Sequence, residues 1–257
     1  MGVKRYELSD AQWDRVAPLL PGKAGDPGRT SSDNRLFVNG VLWDLRSGAH
    51  WRDLPDRYGK WKTAHQRFSR WSRAGVRERL LAGLIKDRDN QYLMLDSTLV
   101  RAHQQATTGR GSGSKRGGLD PAVGRSRSGL TTKIHMACDS LGRPVRFLLA
   151  AGQSHHILAA PALIEGFAPL AVMADRAYDS NAFRDVIAQA GAEAVIPSTR
   201  SRKTPIPHNP VLYRLRNRIE RCFNKLKHFR RFAARYDRLA SHFLAFAHIA
   251  ASMIWRR

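Results

Sequence analysis

Tyr92-Leu93-Met94-Leu95-Asp96 is a short apolar run that ends on a carboxylate, directly after the polar Asp89-Asn90-Gln91. It is too brief for a helix and apolar throughout, which marks a strand buried on both faces. Leu170-Ala171-Val172-Met173-Ala174-Asp175 repeats the pattern. Two such strands predict an α/β sheet with two acids at its C-terminal edge, where open α/β sheets bind ligands. Outward from them, 130–138 and 144–149 predict a hairpin around Asp139-Ser140-Leu141-Gly142. Stretches 157–167 and 181–190 read as helices, the second closed by Gly191, and 193–197 as a further strand. A long helix over about 212–235 and a last apolar helix over 239–255 complete the order β-β-β-α-β-α-β-α, an α/β layered core.

The first third reads differently. Ser9 followed by Gln12 is a capping box that opens a short helix, with Trp13, Val16 and Leu20 as its apolar side and Pro21-Gly22 as its end. A Gly/Pro/Ser loop runs to about Ser32. Asp33 then caps a second helix through Leu45. A third, over about 60–72, combines Trp61, Phe68 and Trp71 with Lys62, His65, Gln66, Arg67 and Arg70. This is either a helix-turn-helix reader of DNA or a small helical bundle with a solvated basic face. On the first reading Lys62, Arg67 and Arg70 are DNA contacts. Residues 77–86 predict a linking helix. The expected organisation is an all-helical domain over 1–88 and an α/β domain over 89–257. The Gly/Ser/Arg-rich stretch 107–129 is expected to be a mobile loop that either orders on DNA or acts as a tether.

Charge narrows the function. The 257 residues carry 44 Lys and Arg against 21 Asp and Glu, a net charge of +23. Such self-repulsion is best offset by a polyanion, and nucleic acid gains further from counterion release. An anionic membrane surface is a distant alternative, because no polybasic amphipathic segment or lipidation signal stands out. Residues 200–257 alone hold 15 basic and 2 acidic residues, whereas 134–199 hold 4 and 6. The basic stretches thus flank a nearly neutral core. The two cysteines, Cys138 and Cys222, lack zinc spacing and fit a reducing cytosol. The N-terminus shows no signal-peptide pattern, and the apolar run 243–255 is too short to span a bilayer. The expected location is cytoplasmic, nucleoid-associated when DNA is bound.

The basic helix carries the chemistry. With about 100° per residue, Arg216, Glu220 and Lys227 fall within about 60° of Tyr213. Asn217, Asn224 and Arg231 lie on the adjoining edge. Leu215, Ile219, Cys222, Leu226 and Phe229 fall opposite and face a core, while Arg214, Arg218, Arg221 and Lys225 form a basic flank. Glu220 is the single acid of the polar stripe. It is either a surface partner for Arg216 or part of a phosphate-binding face, and the surplus of cations favours phosphate. One strand-end Asp is commonly a turn or helix cap. Several carboxylates at one edge need a shared proton or a cation, and a hard divalent ion such as Mg²⁺ suits them.

These residues also form a known signature. Tyr213-x₂-Arg216-x₃-Glu220-x₆-Lys227 resembles, without mismatch, the motif of insertion-sequence transposases of the DDE superfamily, in the branch called insertion-sequence family five. Leu95-Asp96-Ser97-Thr98 is similar to that family's first catalytic segment, Gly129–Thr131-Thr132-Lys133-Ile134-His135 to the strand that follows, and Ala174-Asp175-Arg176-Ala177-Tyr178-Asp179 to the second. The likeness covers about 90–255, and the N-terminal part also resembles the small helical domain of this branch. It implies an RNase H-like fold: a mixed sheet flanked by helices, beside a helix-turn-helix-like domain. It implies catalysis by Asp96, Asp175 and Glu220 with two Mg²⁺ ions, for which Mn²⁺ substitutes. Tyr213, Arg216 and Lys227 would hold the strand beside the scissile phosphate, with Asn217, Asn224 and Arg231 next to them. Double-stranded DNA, as terminal inverted repeats and target, would be the partner, and two ends call for a homodimer or larger assembly. Forty-four residues separate Asp175 from Glu220, too few for the inserted domain with which some relatives handle a hairpin end. The alternatives are a structure-specific nuclease on the same fold and a non-catalytic DNA-binding descendant. Among other residues, Asp139 is expected to be structural in its turn, Asp179 to cap the helix from Asn181, and His155 and His156 to serve surface or capping roles. His135 points either to the core or to the site.

Overall fold

The computed structural model describes residues 6–26, 30–31, 33–107, 122–126 and 129–255. Helix α1 (Asp10–Val16) starts on the expected capping box: Gln12 N–H donates to Ser9 Oγ at 3.3 Å, and Ser9 N–H to Gln12 Oε1 at 3.0 Å. Leu36 N–H donates to Asp33 at 2.7 Å and opens α2 (Asn34–Ser47), which Gly48 ends at φ 67°. A side chain at Gly48 would be strained by that φ and would put its Cβ 2.9 Å from Arg230 Cβ. Two 3₁₀ turns, Trp51–Asp53 and Asp56–Tyr58, lead to α3 (Trp61–Arg73) and then α4 (Val76–Leu84).

The sheet follows. Strand β1 (Tyr92–Ala102) leads through the short α5 (Gln104–Thr107) to β2 (Gly124–Ser126), β3 (Gly129–Cys138) and β4 (Pro144–Ala151). Helix α6 (Ala160–Ile164), β5 (Ala171–Met173), α7 (Asn181–Gln189) and β6 (Glu193–Val195) come next. The chain ends with α8 (Pro210–Arg214), α9 (Asn217–Lys227), α10 (Arg230–Ala233), β7 (Ala234–Arg235) and α11 (Ala240–Trp255). Among the described residues the strand order is β2-β3-β1-β5-β6, with β4 also on β3 and β7 on β1. The hairpin partners are antiparallel, while β5 and β7 run parallel to β1 and β6 parallel to β5. This is the expected mixed sheet flanked by helices.

Several elements differ from expectation for identifiable reasons. The strand expected to end at Asp96 runs on to Ala102, because 94–101 pair residue by residue with 131–138 of β3. The helix expected over 157–167 is a 3₁₀ turn, His156–Leu158, followed by the short α6. The helix expected over 212–235 is three pieces. Leu215 and Arg216 stay helical but form tight i→i+3 bonds, and Phe229 is extended at φ −85°, ψ 108°. Of the loop expected over 107–129, residues 108–121 and 127–128 lie outside the described residues, as do 1–5, 27–29, 32 and 256–257. Gly124–Ser126 pairs with β3, and Ala122 and Val123 are buried.

The predicted boundary at 88/89 is not a gap in packing. Helix α11 is apolar on all sides and packs against α2, α3, α4 and β4, as a buried helix must. Phe246 of α11 stacks on Phe68 of α3 at 4.5 Å, and both contact Trp51. Helix α4, expected as a linker, is part of this core. Its Arg77 is buried, lies 3.9 Å from the Phe68 ring and donates to Phe68 O and Ser72 Oγ. A second tie is ionic. Arg231 of α10 donates to Asp44 of α2 at 2.9 Å, to Ala49 O at 2.9 Å and to Asp237 at 3.0 Å.

Candidate active site

The sheet order creates a gap beside β1. Strand β5 pairs with β1 only at Tyr92–Met94, and β7 joins the same edge only at Arg101 and Ala102. Asp96 stands in the interval. The chain leaving β5 turns away there, so that Asp175 begins the 3₁₀ turn Arg176–Tyr178 and accepts from Ala177 N–H at 2.9 Å. Helix α9 passes the same place. Its apolar side, Ile219, Cys222, Phe223 and Leu226, is buried, and Glu220 is exposed on the other side.

Arg216 joins two of the acids. Its guanidinium donates to Asp96 Oδ2 at 3.2 Å and to Glu220 Oε1. Burial holds the Asp96 carboxyl above its usual range, and the nearby charges of Asp175 and Glu220 push the same way. Ser97 N–H, donating to Asp96 Oδ1 at 2.7 Å, and Arg216 work against that rise. Among the described residues no three His, Cys, Asp or Glu side chains form a ready metal-ligand set; the cation among these acids is the guanidinium. Carboxylate oxygens are nevertheless the donor type that a hard divalent ion takes.

The other predicted residues divide. Tyr213 is half-buried, with the Arg216 guanidinium 5.7 Å from its ring centroid. Asn217, Asn224 and Lys227 are exposed along α9, on the same outer strip as Glu220. Arg231 is a correction. The extended Phe229 ends the helical stripe and turns Arg231 inward, where Asp44, Asp237 and Ala49 O take its donors, so it does not face DNA. Lys62 and Arg70 are exposed on α3, but Arg67 lies 4.3 Å from the Phe37 ring and 4.7 Å from that of Trp71 and donates to Asn34. Arg67 therefore joins α2 to α3 and is a poor reader of bases.

Around the acids lie groups that sequence reasoning missed or left open. His156, expected in a surface or capping role, is instead half-buried: its Nδ1 is 2.8 Å from Ser97 Oγ, and its ring meets Tyr178 edge-on at 5.7 Å. His135 resolves to the core: it is fully buried, neither ring nitrogen has a hydrogen-bond partner among the described residues, and burial pushes its pKa down to about 4. The register could have suggested its neighbour, since His135 sits opposite Ser97. Asp139 is structural, as expected, and accepts from Leu141 N, Arg143 N and Arg143 Nε. Asp179 is not the helix cap; Ser180 is, accepting from Phe183 N–H at 3.1 Å. Asp179 instead accepts from Arg184, Arg202 and Thr199 N–H.

A sheet of this order, covered by helices and with acids at its gap, defines a mixed α/β class, and comparison with known proteins identifies the family. The family model "Transposase DDE domain" matches residues 88–255, and "Putative transposase of IS4/5 family" matches 8–81. The "Putative transposase for insertion sequence element IS6501" of Brucella ovis is 37% identical over 132 residues, 50% of this chain and 100% of its own length. "Uncharacterized protein y4sN" of Sinorhizobium fredii is 43% identical over 103 residues, 40% of this chain and 82% of its own. A piggyBac transposase synaptic complex with hairpin DNA shares the fold, with TM-score 0.53 and 11% identity over 98% of this chain and 72% of that one. The chain belongs to the DDE transposase family, and it is a DNA transposase. No helix among the described residues is long and apolar enough to cross a membrane.

Proposed function

We propose that the chain binds the terminal inverted repeats of its insertion sequence and cuts and joins phosphodiester bonds there, with Asp96, Asp175 and Glu220 as ligands of two Mg²⁺ ions. The observation that carries this is the convergence of Asp96, from the middle of the sheet, and Glu220, from α9, on the one guanidinium of Arg216. Acids from distant segments that need a cation to coexist are what a metal-ion site requires before its metal arrives. Bound there, the ions would activate the attacking oxygen and stabilise the leaving one; Mn²⁺ would serve in their place.

The chain's own residues supply the rest. Arg216 changes partner on DNA binding, from carboxylate to phosphate, and Tyr213 and Lys227 hold the strand on either side of it. Asn217 and Asn224 extend that contact along α9. Lys62 and Arg70 of α3 contact the repeat away from the cut. A homodimer or larger assembly would hold two ends together.

The test is cleavage of a labelled duplex carrying the element's own end, in Mg²⁺, Mn²⁺ and EDTA, by the wild-type chain and by Glu220→Ala. Metal-dependent cutting at the end, lost in the variant while DNA binding persists, is the expected result. End-specific binding without cutting in either metal would instead leave a non-catalytic DNA-binding protein.

A further inference from the structure

Beside the start of α3 the surface opens into a cleft of ≈ 550 Å³ lined by residues 50–53, Trp61, His65 and Gln105. Its walls are the 3₁₀ turn Trp51–Asp53, α3 and α5, so it lies where the helical layer meets the far end of β1. Trp51 is its buried floor, backed by Phe68 at 5.0 Å, and the Trp51 indole N–H has no acceptor among the described residues. Trp61 is half-buried, with the Arg52 guanidinium 5.7 Å and the Lys62 ammonium 5.8 Å from its ring. His50, Arg52, Asp53 and Gln105 are exposed at the rim. Burial lowers the pKa of His65, which favours the neutral ring that can both donate and accept.

We propose that this cleft takes one unstacked nucleotide of the bound DNA, its base against Trp61 and its phosphate on Arg52 and Lys62. The inference rests on the transposase reading and deepens it. An indole flanked by cations suits a nucleotide, because bases stack on aromatic rings whatever their sequence while the cations take the backbone. His65 and Asp53 supply the donor and acceptors that a base edge needs. The volume lies in the range of sites that enclose groups of this size, and the net charge of +23 draws DNA rather than an apolar ligand. Position adds a prediction. From Asp96 to Ala102, β1 advances about 20 Å at roughly 3.3 Å per residue. At about 3.4 Å per nucleotide along a strand, the captured base lies about six nucleotides from the bond cut beside Asp96.

The experiment measures binding in EDTA, so it does not depend on cleavage. The full chain is titrated with the element's end duplex, intact or with a single abasic site placed in turn at each position within about ten nucleotides of the cut. Trp61→Ala should weaken binding to the intact duplex about tenfold, and Trp61→Phe should retain most of it. One abasic position, about six nucleotides from the cut, should cause the same loss in the wild type and no further loss in Trp61→Ala. If Trp61→Ala does not fold, the single sensitive abasic position in the wild type and a weaker affinity for Arg52→Ala test the same claim. Equal losses for Trp61→Ala on intact and abasic duplexes at every position would overturn the proposal, as would no loss at all. So would dTMP binding as tightly as the strand, which would make the cleft a free-nucleotide site. Absence of cleavage with this coupling intact would count against the catalytic reading alone.

Discussion

Two arginines in this molecule each sit between two carboxylates, and they do opposite things. Arg231 lies between Asp44 and Asp237 with its side chain 6% exposed, and it also donates to a backbone carbonyl. Arg216 lies between Asp96 and Glu220, but it is 15% exposed and Glu220 is 49% exposed. The first guanidinium has several buried acceptors and no route to another partner. The second has one half-buried acceptor and one at the surface, where ion pairs are worth about 0–1 kcal/mol. The same three groups thus make a permanent tie between α2 and α10 in one place and an exchangeable contact in the other. Burial, and not the identity of the ions, separates structure from function here.

The largest expected difference is in chemistry. Glu220→Ala should lower the cleavage rate about a thousandfold or more, while its melting temperature stays near that of the wild type. Asp44→Ala should do the reverse and unfold at lower temperature without touching the acids. A Glu220→Ala chain that still cuts its end duplex in Mg²⁺ would remove the carboxylate from the mechanism.

Stability gives the next contrast. Arg231→Met leaves Asp44 and Asp237 buried without their cation, which costs about 3–5 kcal/mol. Arg216→Met should cost no more than about 1 kcal/mol. Denaturant unfolding of the pair measures both, and equal losses would erase the distinction between them. The same Arg216→Met chain should bind Mn²⁺ about fivefold more tightly without DNA, since the competing cation is worth about 1 kcal/mol. Electron paramagnetic resonance of free Mn²⁺ reads this directly, and unchanged affinity would mean that Arg216 does not compete for the acids.

A third ionic cluster sharpens the point through pH. Asp179 has no exposed side-chain surface, and burial alone would raise its pKa. Hydrogen bonds from Arg202, Thr199 N–H and Arg184 overcome that and hold it at about 2. A depressed pKa stabilises the fold above the ordinary aspartate value, and the gain is lost as pH falls from about 4 to about 2. The stability difference between wild type and Asp179→Asn should therefore shrink by about 2 kcal/mol over that window. A difference that does not change with pH would mean that the three donors do not hold the charged form.

These ties also explain which parts of the molecule were legible in the sequence. The strand cores were, because Leu93–Leu95 and Ala171–Met173 are too short and too apolar to be anything else. The extension of β1 past Asp96 was not, since Ser97-Thr98-Leu99 becomes strand only by pairing with β3. Asp96 and Asp175 were readable as the ends of those two runs, and Arg216 and Glu220 from one helical stripe, because Glu220 lies within α9 and Arg216 directly precedes it. Arg231 failed because the same wheel was carried across Phe229, where the helix has already ended. Arg67 failed for another reason: its spacing on α3 was read correctly, but the rings of Phe37 and Trp71 that cover it are set by packing between helices. The contact of His156 with Ser97 joins segments that no local pattern links.

The smallest effects belong to α3, and they separate its exposed cations from the covered one. Lys62 and Arg70 face solvent with no acid beside them on the helix face, since Gln66 lies between them. If each neutralises one phosphate, Lys62→Ala and Arg70→Ala should each weaken binding modestly on every duplex and lower the salt slope by about one. Arg67→Ala should leave the slope unchanged, because its guanidinium is already held over two rings, and should instead lower the melting temperature through lost packing. Affinity for the end duplex and for an unrelated duplex, measured from low to moderate salt, distinguishes the cases. A slope that falls for Arg67→Ala and not for its neighbours would mean that α3 turns its other face to DNA. A discrimination between the two duplexes lost in Arg70→Ala alone would make Arg70 a base reader instead of a backbone contact, because phosphate contacts carry no sequence information.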